Sequence, residues 1–308
     1  RVGIRIRGNL TGNIVNSGKI TVEGNDSAGI WVAGVVDGKL VHDGETVVLG
    51  DRSVGIDVQD VTGDVRLAGT VSAKGEDAIA ARFAGDLDGT LVVQGTIVST
   101  GYRAVTAPAV LSKLDDDDVL QGGSAIVIEG DVAKGIRFAV PPADTDKDDP
   151  DEDKDGIDDA KEGSAKVVSY GAAPAVVIGA TDRDIAIGAL PATGTGFGII
   201  VDGSIAGQGV YSGIDGNGMV VGGRGGNVTI AGGIAVNGSI AASSIDSNAT
   251  ALRLGAGAST AELRNAGTIS ASGGGRDATR ATAVSVDVGA NLPYVRNSGT
   301  IKATALKD

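Results

Sequence analysis

Gly3-Ile4-Arg5-Ile6 returns as Gly29-Ile30-Trp31-Val32 and again as Gly55-Ile56-Asp57-Val58, each time after 26 residues. The same phrase, a small residue, an aliphatic, any residue and another aliphatic, recurs as Ala125-Ile126-Val127-Ile128, Ala175-Val176-Val177-Ile178, Gly198-Ile199-Ile200-Val201, Ala251-Leu252-Arg253-Leu254 and Ala283-Val284-Ser285-Val286. A second phrase follows about half a repeat later. It reads Asn16-Ser17-Gly18-Lys19-Ile20, Ala68-Gly69-Thr70-Val71, Gln94-Gly95-Thr96-Ile97, Asp202-Gly203-Ser204-Ile205, Asn237-Gly238-Ser239-Ile240, Asn265-Ala266-Gly267-Thr268-Ile269 and Asn297-Ser298-Gly299-Thr300-Ile301. Alternation of aliphatic and polar residues gives each phrase the period of a strand, and no stretch has the period of an amphipathic helix. A unit of this size with short strands and Gly/Asn turns cannot bury its own apolar face, but stacked copies can.

The pattern therefore predicts an all-β chain, a parallel β-helix (solenoid) of roughly ten turns. Ile4, Ile30 and Ile56 should form one interior column, because equivalent residues of successive turns lie about 4.8 Å apart. Asn16, Asn265 and Asn297 should share one turn position, where asparagine tolerates left-handed backbone and stacked amides can bond along the axis. The alternative is a β-sandwich of hairpins joined by Asn-Gly turns; hairpin sheets need no recurrence of one phrase at one spacing, and the solenoid is preferred. With 3% aromatics, the core must be built from Val, Ile, Leu and Ala, and the aromatic girdles of a membrane barrel are missing. With no cysteine, disulfide scaffolds, thiolate zinc sites and thiol catalysis are excluded.

The phrases around Arg264-Asn265-Ala266-Gly267-Thr268-Ile269-Ser270-Ala271 and Arg296-Asn297-Ser298-Gly299-Thr300-Ile301-Lys302-Ala303 resemble those of bacterial autotransporter passengers and related surface β-helix proteins. The resemblance implies a right-handed β-helix exported to the cell surface, outer-membrane-associated through a C-terminal translocator barrel that lies outside this sequence. It marks architecture and no particular activity.

The apolar rhythm stops at Pro141, dividing the chain into a first β-helical part (1–140), an acidic insertion (141–163) and a second β-helical part (164–308) of one solenoid. The net charge of −13 is concentrated here: residues 144–162 hold eleven acidic and three basic side chains, a local charge of −8. Asp115 to Asp118 add a second acidic run, expected as an exposed loop, and the remainder is nearly neutral. Such a balance argues against a nucleic-acid partner. Within the insertion Asp151, Asp153, Asp155, Gly156 and Glu162 fall at the spacing of a calcium loop, with the Ile157 carbonyl, Asp159 and both oxygens of Glu162 completing an oxygen shell. Calcium wants six to eight oxygens, and such carboxylates converge only if the chain bends sharply at a glycine. Pro150 and the strand-like Ala165-Lys166-Val167-Val168 leave no room for flanking helices, and the segment resembles a thrombospondin type 3 repeat. Asp144, Asp146 and Asp148 resemble an incomplete preceding loop, in which Asp149 replaces the expected glycine. The alternative is a solvated acidic linker.

Catalytic motifs are missing: there is no Gly-x-Ser-x-Gly elbow, His-Glu-x-x-His or phosphate loop. His42, the single histidine, reads as a surface residue entering a turn. Outward positions such as Arg5, Asp57, Arg82 and Arg103 are where an acid/base cluster would have to arise, and Trp31 is an outward residue expected under a neighbouring loop or strand. Gly222 to Asn227 reads as a solenoid corner. These features together predict a noncatalytic, cell-surface or secreted stalk or adhesin module with calcium in its insertion. Its partners would be a surface ligand or like chains meeting end to end. A secreted polysaccharide lyase or glycosidase on a β-helix is a second reading, and a self-assembling fibre or surface-layer subunit a third.

Overall fold

A computed structural model describes residues 1–101, 114–116, 118–143, 145–146, 148–152, 158–159, 162–191, 194–275 and 278–305. They form a parallel β-helix in which each turn contributes one strand to each of three nine-stranded parallel sheets. The first sheet runs from Val2–Ile6 to Ala281–Val286, the second from Ile14–Asn16 to Tyr294–Asn297, and the third from Lys19–Glu23 to Thr300–Ala305. Short strands and single bridges through Leu10, Val36, Val61, Leu87, Val132 and Ile187 draw a fourth line between the first and second sheets. Among the described residues the turns number nine, close to the roughly ten expected, and the intervals from Thr100 to Ile126, from Phe138 to Lys166 and from Ile187 to Ile199 are longer than the others.

The first phrase sets the first sheet. Ile4, Ile30 and Ile56 pair in successive turns, as the 26-residue interval requires, and the column continues through Ala81, Ile126, Val176, Met219, Leu252 and Val284. The second phrase sets the third sheet, with Ile20, Thr46, Val71, Ile97, Val167, Ile205, Ile240, Ile269 and Ile301 in one register. One phrase was misplaced by sequence: Gly198-Ile199-Ile200-Val201 belongs to the second sheet, paired with Ile136 and Ile234. A run of aliphatics fits any of the three inner walls, so the phrase alone cannot say which. The matching first-sheet strands of the fourth and seventh turns are Ile79–Phe83 and Gly216–Val221.

One continuous core fills the tube, from Ile14 to Ala283, with Phe83 and Phe138 as its largest fully buried side chains. Register crosses the acidic insertion without a break, since Thr96 to Thr100 pair with Lys166 to Tyr170. The corner before the third sheet must be narrow: a Cβ on Gly69 would collide with the Gly44 carbonyl oxygen one turn below, and one on Gly95 with that of Gly69. Stacking at strand spacing leaves no room there for a side chain.

Candidate functional site

Because side chains alternate across a strand, the residue between each pair of core aliphatics in the first sheet points outward. Register places Arg5, Trp31, Asp57, Arg82, Val127, Val177, Val220 and Arg253 in one such column. Three of the four outward residues named from sequence, Arg5, Asp57 and Arg82, thus share a line; Arg103 lies outside the described residues. What covers Trp31 is Arg5 of the neighbouring strand, whose guanidinium carbon sits 5.0 Å from the ring centroid, a cation–π contact.

A cavity of about 650 Å³ opens over the middle of this column. Its floor is aliphatic, from Val54, Ile79, Val127, Val177 and Val220, and Arg52, Arg82, Arg224 and Arg253 stand along it. A smaller cavity of about 270 Å³ continues it past Arg52 and Val54 to Trp31 and Arg5. Arg224 comes from the Gly222 to Asn227 corner, which the sequence correctly reads as a turn between strands: Gly222, Gly223 and Gly225 adopt φ of 72°, 76° and 127°.

The centre of the groove is a charge cluster. Arg82 Nε donates to Glu129 Oε2 at 2.8 Å, and the Arg224 guanidinium lies 3.2 Å from the other oxygen of the same carboxylate. Asp57 stands 4.0 Å from Arg82, beyond hydrogen-bonding distance, and its Oδ1 is buried without a partner. Burial pushes the Asp57 carboxyl above its ordinary value, against the pull of Arg82 and with a smaller push from Glu129. At the rims Arg52 forks onto Asp26 with two bonds of 2.8 Å, and Arg253 Nε donates to Asp287 at 2.7 Å. The side chains that define the groove are thus guanidiniums held by carboxylates above an apolar floor, a set suited to gripping charged and hydroxylated ligands. Glu129 and Arg224 escaped the sequence reading because corners of unequal length separate them from Arg82.

His42 is not on the surface. It closes the strand Leu40–His42 with its ring inside the tube, fully buried, and Nε2 meets Thr46 Oγ1 at 2.8 Å while Nδ1 is buried without a partner. Burial lowers its pKa and keeps the imidazole neutral. A signal for this existed: His42 follows Asn16 by the repeat interval of 26 residues and pairs with it in register. Asp118 departs from the exposed loop expected for the run Asp115 to Asp118. Asp115 and Asp116 are exposed, but Asp118 is buried and its carbonyl accepts from Tyr211 Oη at 2.6 Å.

Of the residues expected to hold calcium, Asp144, Asp153, Asp155 and Ile157 lie outside the described residues. The Asp159 amide donates to the Pro150 carbonyl at 2.8 Å. In the preceding segment the Asp148 amide donates to Asp146 Oδ1 at 3.1 Å. Glu152, which the loop pattern does not use, accepts from the amides of Thr145 and Asp146 at 2.9 and 2.7 Å, and these bonds hold its carboxyl below the usual range. Glu162 is turned onto the second sheet, buried, with Oε1 accepting from Gln94 at 2.7 Å and Arg66 at 3.4 Å. Among the described residues no three acidic or imidazole side chains converge on a cation site, and no helix is long and apolar enough to cross a membrane. No known protein family, curated protein or solved structure matches the chain.

Proposed function

We propose that this chain is a noncatalytic β-helical module of a bacterial cell-surface or secreted protein, a stiff stalk or adhesin segment that presents a binding face. The observation that carries the reading is the groove on the first sheet, whose guanidiniums Arg52, Arg82, Arg224 and Arg253 are each held by a carboxylate of another turn. Glu129 is held between Arg82 and Arg224, and the single imidazole is sealed in the core beside Thr46. Acid/base chemistry needs a group free to exchange a proton with substrate, and a carboxylate shared by two guanidiniums is poorly placed for that. Nine turns around one core give the rigidity that a spacer requires.

Calcium is the second part of the proposal. Asp151, Asp153, Asp155, the Ile157 carbonyl, Asp159 and Glu162 would hold one ion, with Asp144, Asp146 and Asp148 partly enclosing another. Its support is the ligand spacing and the hydrogen bond from the Asp159 amide to the Pro150 carbonyl. Glu162 Oε1 is held by Gln94 and Arg66, contacts with which calcium would compete. Calcium titration with hydrogen exchange is the test. Protection of residues 144–162 should rise, and unchanged exchange at millimolar calcium contradicts the proposal. Incubation with polysaccharides of varied charge should release no new chain ends; measurable cleavage would move the chain to the lyase or glycosidase reading.

A further inference from the structure

We propose that the first-sheet groove binds a short segment of a carboxylate-bearing sugar chain, a polyuronate, with Arg82 and Arg224 taking its carboxylates and the valine floor meeting its ring faces. This rests on the reading of the module as one that presents a binding face, and supplies the chemistry of what it binds.

Charge is the first argument. The protein carries −13, yet this cavity is lined by four guanidiniums against two carboxylates, Glu129 and Asp77. A guanidinium has five N–H donors. Glu129 takes the Nε–H of Arg82 and pairs with one terminal nitrogen of Arg224, so one carboxylate serves two cations. Both arginines line a cavity of about 650 Å³, a size within the range of small-ligand sites and far larger than a single anion needs. Guanidinium forks match carboxylates in two-point geometry, which gives direction as well as charge.

The backbone decides between a sugar and an acidic peptide. The strands under the groove, Ile79–Phe83, Ile126–Ile128, Val176–Ile178 and Gly216–Val221, each pair with a neighbour on both sides. Their amides and carbonyls are spent in the ladders, so an extended peptide on this face finds no main-chain partners for its own polar groups. A sugar chain asks for none. Its hydroxyls and carboxylates meet side chains such as Glu129, Asp77, Ser124 and the guanidiniums, and its C–H faces meet Val127, Val177 and Val220.

The test is isothermal titration of the 308-residue chain with oligogalacturonate, alginate oligomers and hyaluronan oligomers, beside carboxyl-reduced counterparts and polyglutamate. At least one uronate should bind saturably, and Arg224→Gln should weaken it about tenfold or more, the size of one lost charge-assisted bond. Arg253→Gln, on the exposed rim, gives a second variant, with a smaller loss expected. Failure of every uronate to bind overturns the inference, as does binding that ignores both variants. Equal affinity for the reduced sugar removes the role of the carboxylate, and equal or tighter binding of polyglutamate replaces the sugar by an acidic peptide. Absence of binding leaves the stalk reading standing. Cleavage of a bound uronate contradicts the noncatalytic reading and leaves the ligand class intact.

Discussion

Asn265 and Asn297 occupy the same position in adjacent turns of the second sheet, and the Asn265 side-chain amide donates to Asn297 Oδ1 at 2.7 Å. The same nitrogen also reaches the Thr300 carbonyl at 3.1 Å, which ties the second sheet to the third. Asn265 is fully buried, whereas Asn297 and Thr300 are exposed, so water can take the place of its amide at both acceptors. Asn265→Ala should cost about 0.5–1.5 kcal/mol, the usual net contribution of a hydrogen bond. Chemical denaturation of the variant against the parent measures it.

His42 sits in that same column, above Asn16, and its burial gives stability a pH dependence. The folded-state pKa is depressed, so the unfolded chain binds the proton first as pH falls below about 6.5, and stability drops by up to about 1.4 kcal/mol per pH unit. His42→Asn, which restores the residue found at Asn16, should flatten this slope. Thermal midpoints at about pH 7.5 and about pH 5 check it; equal slopes in both proteins would count against a buried neutral imidazole.

Asp57 behaves with the opposite sign. Burial raises its folded-state pKa, so its contribution is most favourable when protonated and is lost as pH rises through that value. Asp57→Asn should therefore be more stable than the parent at neutral pH, with the advantage vanishing in acid where both side chains are uncharged. A midpoint that falls at neutral pH would show that the Arg82 pairing outweighs burial.

The narrow corner makes a steric prediction. Gly69→Ala places a methyl group against the Gly44 carbonyl and should destabilise by about 1–3 kcal/mol or more, whereas Gly8→Ala meets nothing within 4 Å and should be near neutral. Denaturant midpoints of the two variants separate stacking at the corner from a general effect of losing glycine.

The fold was readable because Ile4, Ile30 and Ile56 repeat an identical environment at a fixed interval, and a solenoid turns that interval directly into contact. By the same rule Arg5, Trp31 and Asp57 were legible as one outward line. The rule fails once corners vary in length. Arg82 and Glu129 are 47 residues apart in sequence yet joined at 2.8 Å, and Arg224 reaches them from a glycine corner with no spacing in common. His42 was misread for another reason: a lone imidazole between Val41 and Asp43 resembles a polar turn residue unless it is aligned with Asn16. The orientation of Glu162 toward Arg66 had no local signal, since a calcium-loop spacing describes only the loop.

All of these positions depend on one register carried across the acidic insertion. The groove joins Asp57 and Arg82 to Arg224 only if the third-sheet strand Thr96–Thr100 lies beside Lys166–Tyr170 as paired. The chain has no cysteine, so engineered pairs report without background. Thr96→Cys with Lys166→Cys joins register partners on the outer face, while Thr96→Cys with Val168→Cys is offset by two residues. Adjacent strands bring the first pair within reach of a disulfide, and the offset pair falls outside it. Rapid oxidation of the first pair and slow oxidation of the second is the predicted result; equal rates, or faster closure of the offset pair, would contradict the continuous solenoid.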